Sequence, residues 1–213
     1  MDGYGRTPPQ DVKSTMRDRR FDNRSKSEFK KDIAFGTAVE KYFWNGFLKQ
    51  LELYGIPYAN AANNGVDNDG GYIETGNKTA GADYQITVAD RHLYLEVKWV
   101  PTAGKLTLKK GDLIGYKREG AAILFIINMS RGGASLRKPR DYDLEAHIRR
   151  IDSKKRDIMW GVMMPNKVDD LLHMCDTRTG GMCWESIPYM GGKTGVIIPD
   201  TDFSDWFKLR KWL

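Results

Sequence analysis

The chain has 213 residues, of which 40% are apolar and 29% charged, a size and composition sufficient for a globular protein with a buried core. No apolar stretch approaches the roughly 20 residues that a membrane-spanning helix needs, so we expect no contact with a membrane interior. The net charge of +6 favours an anionic partner, with nucleic acid ahead of a membrane surface.

The N-terminal residues and the cysteine content indicate where the protein acts. The first ten residues, MDGYGRTPPQ, lack the apolar core of a signal peptide, and two cysteines are too few for a disulfide framework. We therefore expect a reducing, intracellular and cytoplasmic location. Residues 1–27 mix basic, acidic and small side chains without apolar periodicity and are predicted to form a flexible basic arm.

A long amphipathic helix is predicted after the arm. Apolar residues recur at helical spacing from Phe35 to Leu51, Ser27 is a candidate N-cap, and Gly55 and Pro57 end the pattern. The predicted helix has roughly six or seven turns.

The next stretch, residues 59–81, is rich in Asn and Gly and is predicted to be a loop, with a short strand at residues 72–74. A loop of this length within a compact domain is usually functional or mobile. The fragment DNDG at residues 67–70 is similar to the start of a calcium-binding loop. Gly76 stands where such a loop has its bidentate Glu, so a calcium site is excluded.

The segment DYQITVADRHLYLEVKW alternates between apolar and polar side chains, which predicts a β-hairpin with Asp90 and Arg91 in its turn. In this register Asp83 lies opposite Lys98, and Glu96 lies two residues before Lys98 on the same face. The apolar side chains share the other face. A shift of one residue would mix the two faces, so their separation is well specified.

The remaining elements are predicted from similar patterns. A continuous apolar run is typical of a strand that is buried on both faces, and helical spacing of apolar residues marks helices. The predicted elements are a helix at residues 107–119, a buried strand at 121–129, a helix at 143–154, a strand at 159–163 and an aromatic C-terminal tail that docks on the core.

Asp83, Glu96 and Lys98 form one polar cluster on the predicted hairpin. Two neighbouring carboxylates repel each other unless a cation lies between them, and their oxygens suit Mg²⁺ or Mn²⁺. A lysine beside them can orient a water molecule or stabilise a phosphate. The cluster therefore has the groups that metal-assisted phosphodiester hydrolysis needs. The alternative is an ordinary surface ion pair between Glu96 and Lys98.

The order of these residues resembles the signature of the PD-(D/E)XK nuclease superfamily. In that superfamily an acidic residue at one strand end is followed by E-x-K on the next strand. Asp83 and the run Glu96-Val97-Lys98 match this signature, and Ala82 stands where the name-giving pattern has Pro.

The superfamily also supplies a glutamate from its N-terminal helix, and Glu40 in the string GTAVE fits this position. Gly36, one turn earlier on the same helical face, is expected to allow close approach to the sheet. The resemblance implies a restriction-endonuclease-like α/β core at residues 28–130, with a central mixed β-sheet flanked by helices. Residues 131–213 would be a C-terminal extension packed on this core.

The resemblance also implies a role for each residue of the cluster. Asp83 and Glu96 would ligate Mg²⁺ or Mn²⁺ together with the backbone carbonyl of Val97, and Glu40 would act directly or through water. Lys98 would position the attacking water and stabilise the charge of the transition state.

The segment GKLTLKKGDLIGYKREGAAILFI is similar to the VRR-NUC and archaeal Holliday-junction-resolvase branches, in which a G-x-L-S/T turn opens the helix after the E-x-K strand. Lys110 stands where VRR-NUC proteins commonly have Gln. Compared with RecB-like nucleases, Asp112 and Tyr116 stand where those have a Gln-x-x-x-Tyr pair. Lys105, Lys109 and Lys110 are candidates for contacts with backbone phosphates.

A second basic segment, with Arg137, Lys138 and Arg140, would extend a groove for the DNA backbone. No recognition helix or zinc finger is evident that would read bases. The resemblance implies a structure-selective DNA endonuclease, and RNA as substrate fits the same chemistry. A DNA-binding protein that keeps the fold without cleaving is the alternative. A homodimer would supply two sites for two strands, by analogy alone.

His173, Cys175 and Cys183 have metal-binding side chains, but their H-x-C-x7-C spacing matches no known zinc finger and a fourth ligand is not evident. Cysteines buried in a Met-rich core are the favoured interpretation. His92 follows the predicted turn and is expected at the surface.

Overall fold

The computed structural model describes residues 25–64, 82–130, 136–188 and 192–213, apart from the side chains of Lys26 and Phe29. The helices are α1 (Lys26–Leu53), α2 (Lys110–Glu119), α3 (Leu144–Asp152), α4 (Pro165–Thr177) and α5 (Phe203–Trp206), with 3-10 turns at Lys155–Asp157 and Asp200–Asp202. The strands are β1 (Tyr58–Asn63), β2 (Tyr84–Val88), β3 (Arg91–Val100), β4 (Lys105–Lys109), β5 (Ala122–Asn128), β6 (Ile158–Met163), β7 (Glu185–Ile187), β8 (Lys193–Pro199) and β9 (Arg210–Lys211). Most of the predicted basic arm and the strand predicted at residues 72–74 lie outside the described residues.

A six-stranded mixed sheet forms the centre of the molecule. Its order is β1-β2-β3-β5-β6-β9, with β3 and β5 parallel and the other pairs antiparallel. The parallel pair arises because α2 carries the chain back to the end of the sheet where β3 began, and every residue of β5 is buried, as its apolar run predicts. The prediction of an α/β fold with a mixed sheet flanked by helices is confirmed.

The two faces of the sheet bury two separate clusters. Alternate side chains of β5 point to opposite faces, so Phe125 packs in one cluster and Leu124 in the other. Helices α1 and α3 cover the Leu124 face, called here the α1 face. Helices α2, α4 and α5 cover the Phe125 face, called here the α2 face.

Helix α1 begins earlier than predicted. Ser25, not Ser27, is the N-cap, because its hydroxyl accepts from the backbone N–H of Glu28 while the Glu28 carboxylate accepts from the Ser25 N–H. This reciprocal capping box satisfies two donors of the first turn. The sequence offers two serines two residues apart, and only the earlier one has the Glu three residues on.

A second, three-stranded sheet of order β4-β8-β7 packs on the α2 face. The prediction of a helix from residue 107 is wrong for its first three residues, since Lys105–Lys109 is strand β4. Leu106 and Leu108 are both buried, which is the two-residue period of a strand, and β4 pairs along its whole length with β8. Strands β7 and β8 and helix α4 were not predicted.

Strand β1 lies where a loop was predicted. Its sequence YANAAN has no strongly strand-forming residue after Tyr58, and pairing with β2 is interrupted by an irregularity between Ala59 and Ala62. Asn60, within the irregularity, has a positive φ of 53°, a conformation that Asn tolerates better than most residues. The strand therefore depends on its neighbour rather than on local propensity.

The C-terminal tail docks on the core, as predicted. Trp206, Phe207 and Trp212 are buried, and β9 adds to the edge of the central sheet beside β6. Strands β6 and β9 both follow residue 130, so the central sheet contains strands from both sides of that predicted boundary. Among the described residues, no helix has the length and apolar character that spanning a bilayer requires.

Candidate active site

The hairpin of β2 and β3 has a different register from the predicted one. Its turn consists of Ala89 and Asp90, with φ of 48° and 64°, rather than Asp90 and Arg91. Positive φ at both central residues is the type I′ geometry that two-residue hairpins favour because its twist matches that of the strands. The pairing moves by two residues, so the polar and apolar faces stay as predicted. Asp83 consequently comes nearer to Glu96 than to Lys98 along the ladder.

Asp83 lies directly before β2 and is fixed by several hydrogen bonds. Its Oδ2 accepts from the backbone N–H of Val97 at 3.1 Å, and its carbonyl accepts from the backbone N–H of Asn64 at 2.9 Å. One residue earlier, the N–H of Ala82 donates to the Glu119 carboxylate at 3.0 Å. The start of β2 is thus tied to β3, to the end of β1 and to the end of α2. For Val97, the observed contact is through its N–H, and the proposed role of its carbonyl stays a prediction.

Glu96 and Lys98 share the α2 face of β3. The Lys98 ammonium donates to the carboxylate of Glu96, which is only 8% exposed. The Lys98 Nζ also lies 5.8 Å from the centroid of the Tyr116 ring on α2. Burial lowers the pKa of Lys98, but the neighbouring Glu96, Tyr116 and Glu40 raise it more, so the pKa lies well above its ordinary value. Lys98 is therefore a charged donor at neutral pH.

Glu40 on α1 belongs to the same electrostatic cluster. Burial, opposed by Lys98 and supported by Glu96, raises the pKa of Glu40 from 4.5 to about 7. Burial and the nearby charges of Glu96 and Glu40 raise the pKa of Asp83 to about 8. The structure thus brings Glu40, Asp83, Glu96 and Lys98 into one cluster. This cluster has three carboxyl groups and one ammonium, and ionised carboxyl groups in it repel each other.

Gly36 does not have the packing role predicted for it. A Cβ built on Gly36 would meet no described atom within 4 Å outside its own helix. The close approach of this helix is found at Gly46 instead, where a Cβ would overlap the ring of Trp212 in the C-terminal tail. The sequence signal for Glu40 was its position four residues after Gly36, as the family resemblance implies, and the close contact expected at Gly36 is not observed.

The donor set of the cluster suits a hard divalent cation. Carboxylate oxygens are the preferred ligands of Mg²⁺ and Mn²⁺, and burial and the neighbouring carboxylates raise the pKa values of two of these carboxyl groups, Glu40 and Asp83. In the described residues, however, no three His, Cys, Asp or Glu side chains converge closely enough to hold a metal ion. The Glu96 carboxylate is instead paired with Lys98. The residue types therefore suit a hard cation, whereas the described side chains do not converge as a set of three ligands.

One neighbour of the cluster was not predicted. Tyr84 directly follows Asp83, and its ring stacks on Trp44 with centroids 4.3 Å apart. Burial and the charges of Asp83 and Glu40 raise its pKa above the ordinary value. Its place in the alternating pattern marked Tyr84 only as a core residue, and a phenol hydroxyl next to an acidic motif was the signal that could have found it.

The predicted phosphate-binding residues lie at the surface or partly buried, and several are engaged within the protein. Lys110 pairs with Asp176 at 3.1 Å and lies 4.6 Å from the Trp184 ring centroid. Lys138 donates to Asp32 and covers the Tyr142 ring at 4.1 Å. Lys109 lies 3.7 Å from Asp112. The remaining three, Lys105, Arg137 and Arg140, are exposed.

The structure also bears on the predictions for the cysteines and for His92. Cys175 is buried and Cys183 half-buried, and both are free thiols, as the core interpretation predicts for Cys175. His92 is exposed, as predicted, and His173 is exposed on α4. The zinc interpretation gains no support from the described residues, where no three such ligands converge.

Comparisons with family models, with characterised proteins and with solved structures found no match for the chain.

Proposed function

We propose that the protein is a metal-dependent nuclease of the PD-(D/E)XK type that hydrolyses phosphodiester bonds in DNA. The observation that carries the proposal is the meeting of Asp83, Glu96, Lys98 and Glu40 at the junction of β2, β3 and α1, since Asp83 accepts from Val97 and Glu96 pairs with Lys98. An isolated surface ion pair would not need two further carboxylates in a partly buried site.

Each residue has a role in this proposal. Asp83, Glu96 and Glu40 would hold Mg²⁺ or Mn²⁺, with the Val97 carbonyl as a backbone ligand. When bound, the metal would supply positive charge to offset the negative charge of the phosphate and would make a nearby water molecule more acidic. A bound cation would favour the ionised forms of Glu40 and Asp83, whose pKa values are raised, and would offset the negative charge of the site towards a phosphodiester.

Lys98 acts as a donor rather than as a base in this proposal. Its raised pKa keeps the ammonium charged, so it cannot accept a proton from water at neutral pH. It can orient a water molecule and donate to an oxygen on which negative charge develops. The Tyr116 ring, whose centroid lies 5.8 Å from the Lys98 Nζ, helps to hold the ammonium in this position on the α2 face.

Within this class, we favour a structure-selective DNA endonuclease in a restriction-endonuclease-like fold. The exposed cations Lys105, Arg137 and Arg140 would hold the backbone without reading bases. A homodimer would provide the second site for a second strand. A DNA-binding protein that does not cleave is the competing function, and the direct pairing of the Glu96 carboxylate with Lys98 favours it.

The test is a substrate panel with the full chain. Supercoiled plasmid, single-stranded DNA, a four-way DNA junction and an RNA hairpin are incubated with Mg²⁺, with Mn²⁺ and with EDTA. We expect cleavage of DNA with either metal, none in EDTA, and loss of cleavage with retained DNA binding in Asp83→Asn. Binding to DNA that is independent of metal, without cleavage of any substrate, would contradict the proposal and favour the non-catalytic function.

A further inference from the structure

An apolar cavity lies on the α1 face, at the end of the central sheet. Strand β5 begins at Ala122, opposite Leu95 of β3, and its next residue pairs with Met163 of β6. Beyond this point β3 and β6 have no strand between them. The gap is closed on one side by the C-terminal half of α1 and forms a cavity of about 310 Å³. This volume lies at the lower end of the range for small-molecule sites.

The walls of the cavity are strongly biased in composition. Nine of its twelve lining residues are apolar, among them Phe47, Leu51 and Leu95. The other three are Arg91, Lys208 and Arg210, so each charged side chain among the described lining residues is a cation. A site of this kind matches a ligand with an apolar body and an anionic head.

The three cations come from two separate parts of the chain and meet only in the fold. Arg91 opens β3 next to the hairpin turn, whereas Lys208 and Arg210 lie in the docked C-terminal tail. Within the described ranges, no Asp or Glu forms an ion pair with any of the three. The nearest acid on α1, Glu52, accepts from the Tyr58 hydroxyl at 2.8 Å and does not line the cavity.

Arg210 is held in place by aromatic rings. Its guanidinium carbon lies 4.9 Å from the Tyr54 ring centroid and 5.8 Å from that of Trp160. Rings restrain a guanidinium without neutralising it, so Arg210 keeps its hydrogen-bond donors for another group. A cation fixed at the mouth of an apolar cavity loses little conformational entropy when an anion binds.

We propose that this cavity binds a small amphipathic anion, namely a medium-length acyl or alkyl chain that ends in a carboxylate. The chain fills the space among Phe47, Leu51 and Leu95, and the head contacts Arg91, Lys208 and Arg210. A nucleobase is disfavoured, because the apolar walls offer few partners for its hydrogen-bonding edges. The site is distinct from the candidate active site, because none of Glu40, Asp83, Glu96 and Lys98 is among the described residues that line the cavity.

The proposal is tested by calorimetric titration of the full chain with decanoate, butyrate and decanol. We expect decanoate to bind more tightly than butyrate, which lacks the chain, and than decanol, which lacks the charge. The double variant Arg91→Gln/Lys208→Gln should bind decanoate about tenfold or more weakly, because charge-assisted contacts are lost. Lys49→Gln, an exposed cation on α1 outside this cavity, is the matched control and should bind as the wild type does.

A second variant tests the apolar part of the cavity separately from its cations. Val162→Trp would fill the cavity and should abolish decanoate binding, and its folding is checked by circular dichroism. Equal binding of decanol and decanoate, or unchanged binding in the double variant, would overturn the proposal. A single-stranded oligonucleotide that binds through Arg91 and Lys208, with no competition from decanoate, would also overturn it and assign the rim to a polynucleotide. These titrations need no cleavage, so their failure is independent of the proposed nuclease activity.

Discussion

At the scale of single residues, Lys98 is held in the candidate site by contacts with its neighbours. It donates to Glu96, lies beside the ring of Tyr116 and has Glu40 close enough to raise its pKa. These contacts keep the ammonium charged and direct it toward the carboxylates. A charged donor at this position is useful only where negative charge develops, which is why we assign Lys98 to transition-state stabilisation.

Lys98→Met tests this assignment. The substitution keeps the length and much of the apolar stem but removes the charge, so we expect the cleavage rate to fall by about 100-fold or more while DNA affinity stays nearly unchanged. Single-turnover cleavage and a separate binding titration measure the two effects. Lys117→Met, at an exposed lysine that pairs with Asp169 on the same face, is the control and should leave the rate unaltered. A parallel loss of affinity and rate would instead assign Lys98 to DNA binding.

The residues of this cluster were predictable because they follow from a two-residue period. Any even shift of the hairpin register keeps Asp83, Glu96 and Lys98 on one face, so the error in the turn did no harm. The pairing of Glu96 with Lys98 and the contact of Asp83 with the Val97 N–H were not predictable, because rotamers and hydrogen bonds depend on the three-dimensional packing of α1 and α2.

At the scale of elements, α1 and α3 meet through a buried histidine. His147 is 3% exposed, its ring lies 5.3 Å from that of Phe35, and the Arg150 guanidinium donates to its Nδ1 at 3.2 Å. Burial and the charge of Arg150 lower the pKa of His147 below its ordinary value of 6.5. The contact between the two helices therefore favours the neutral ring.

This lowered pKa predicts a loss of stability in acid. The unfolded chain binds a proton at His147 at higher pH than the folded chain does, so the stability present above pH 6.5 is lost as the pH falls below it. We expect the free energy of unfolding, from urea titrations at about pH 7.5 and about pH 5.5, to fall more in the wild type than in His147→Gln. His173→Gln, at the exposed histidine of α4, should behave as the wild type does. An equal fall in His147→Gln would show that another group is responsible.

We expect a Gly→Ala substitution to have opposite effects on stability at two positions of α1. Alanine at an open helical position is more stable than glycine by about 0.5–1 kcal/mol, and Gly36 has open space around it. At Gly46 the added methyl group would overlap the ring of Trp212, so we expect Gly46→Ala to destabilise by about 1–3 kcal/mol. Urea unfolding of both variants measures the difference. If Gly46→Ala were as stabilising as Gly36→Ala, the tail would not dock on α1.

Most elements with a strong internal period were predicted, although helix α4 was missed despite the helical spacing of its buried residues, and the strands that depend on a distant partner were not predicted. The buried run of β5 and the helical spacing of α1 are local signals. Strand β4 was read as the start of a helix because its five residues gain their strand conformation from β8, which lies almost ninety positions away in the chain. Strand β1 likewise needs β2.

At the scale of the whole molecule, the net charge of +6 predicts salt-dependent binding to DNA. Lys105 and Arg140 are exposed and among the residues assigned to phosphate contacts. Each substitution to Gln should reduce the slope of log K against log salt concentration by about 0.9. Lys49→Gln, with an exposed lysine outside the proposed groove, should leave the slope unchanged. A uniform change in all three variants would indicate attraction by overall charge alone.

The central claim is that Glu96 and Lys98 share a face because they share a phosphodiester. The most direct test compares cleavage of one DNA substrate, with Mg²⁺ or Mn²⁺, by the wild type, by Glu96→Gln and by Glu145→Gln, an exposed carboxylate on α3. We predict that cleavage by Glu96→Gln falls by about 100-fold or more, whereas Glu145→Gln cleaves as the wild type does. Cleavage that persists in Glu96→Gln, or that is absent from the folded wild-type protein with both metals, would contradict the account.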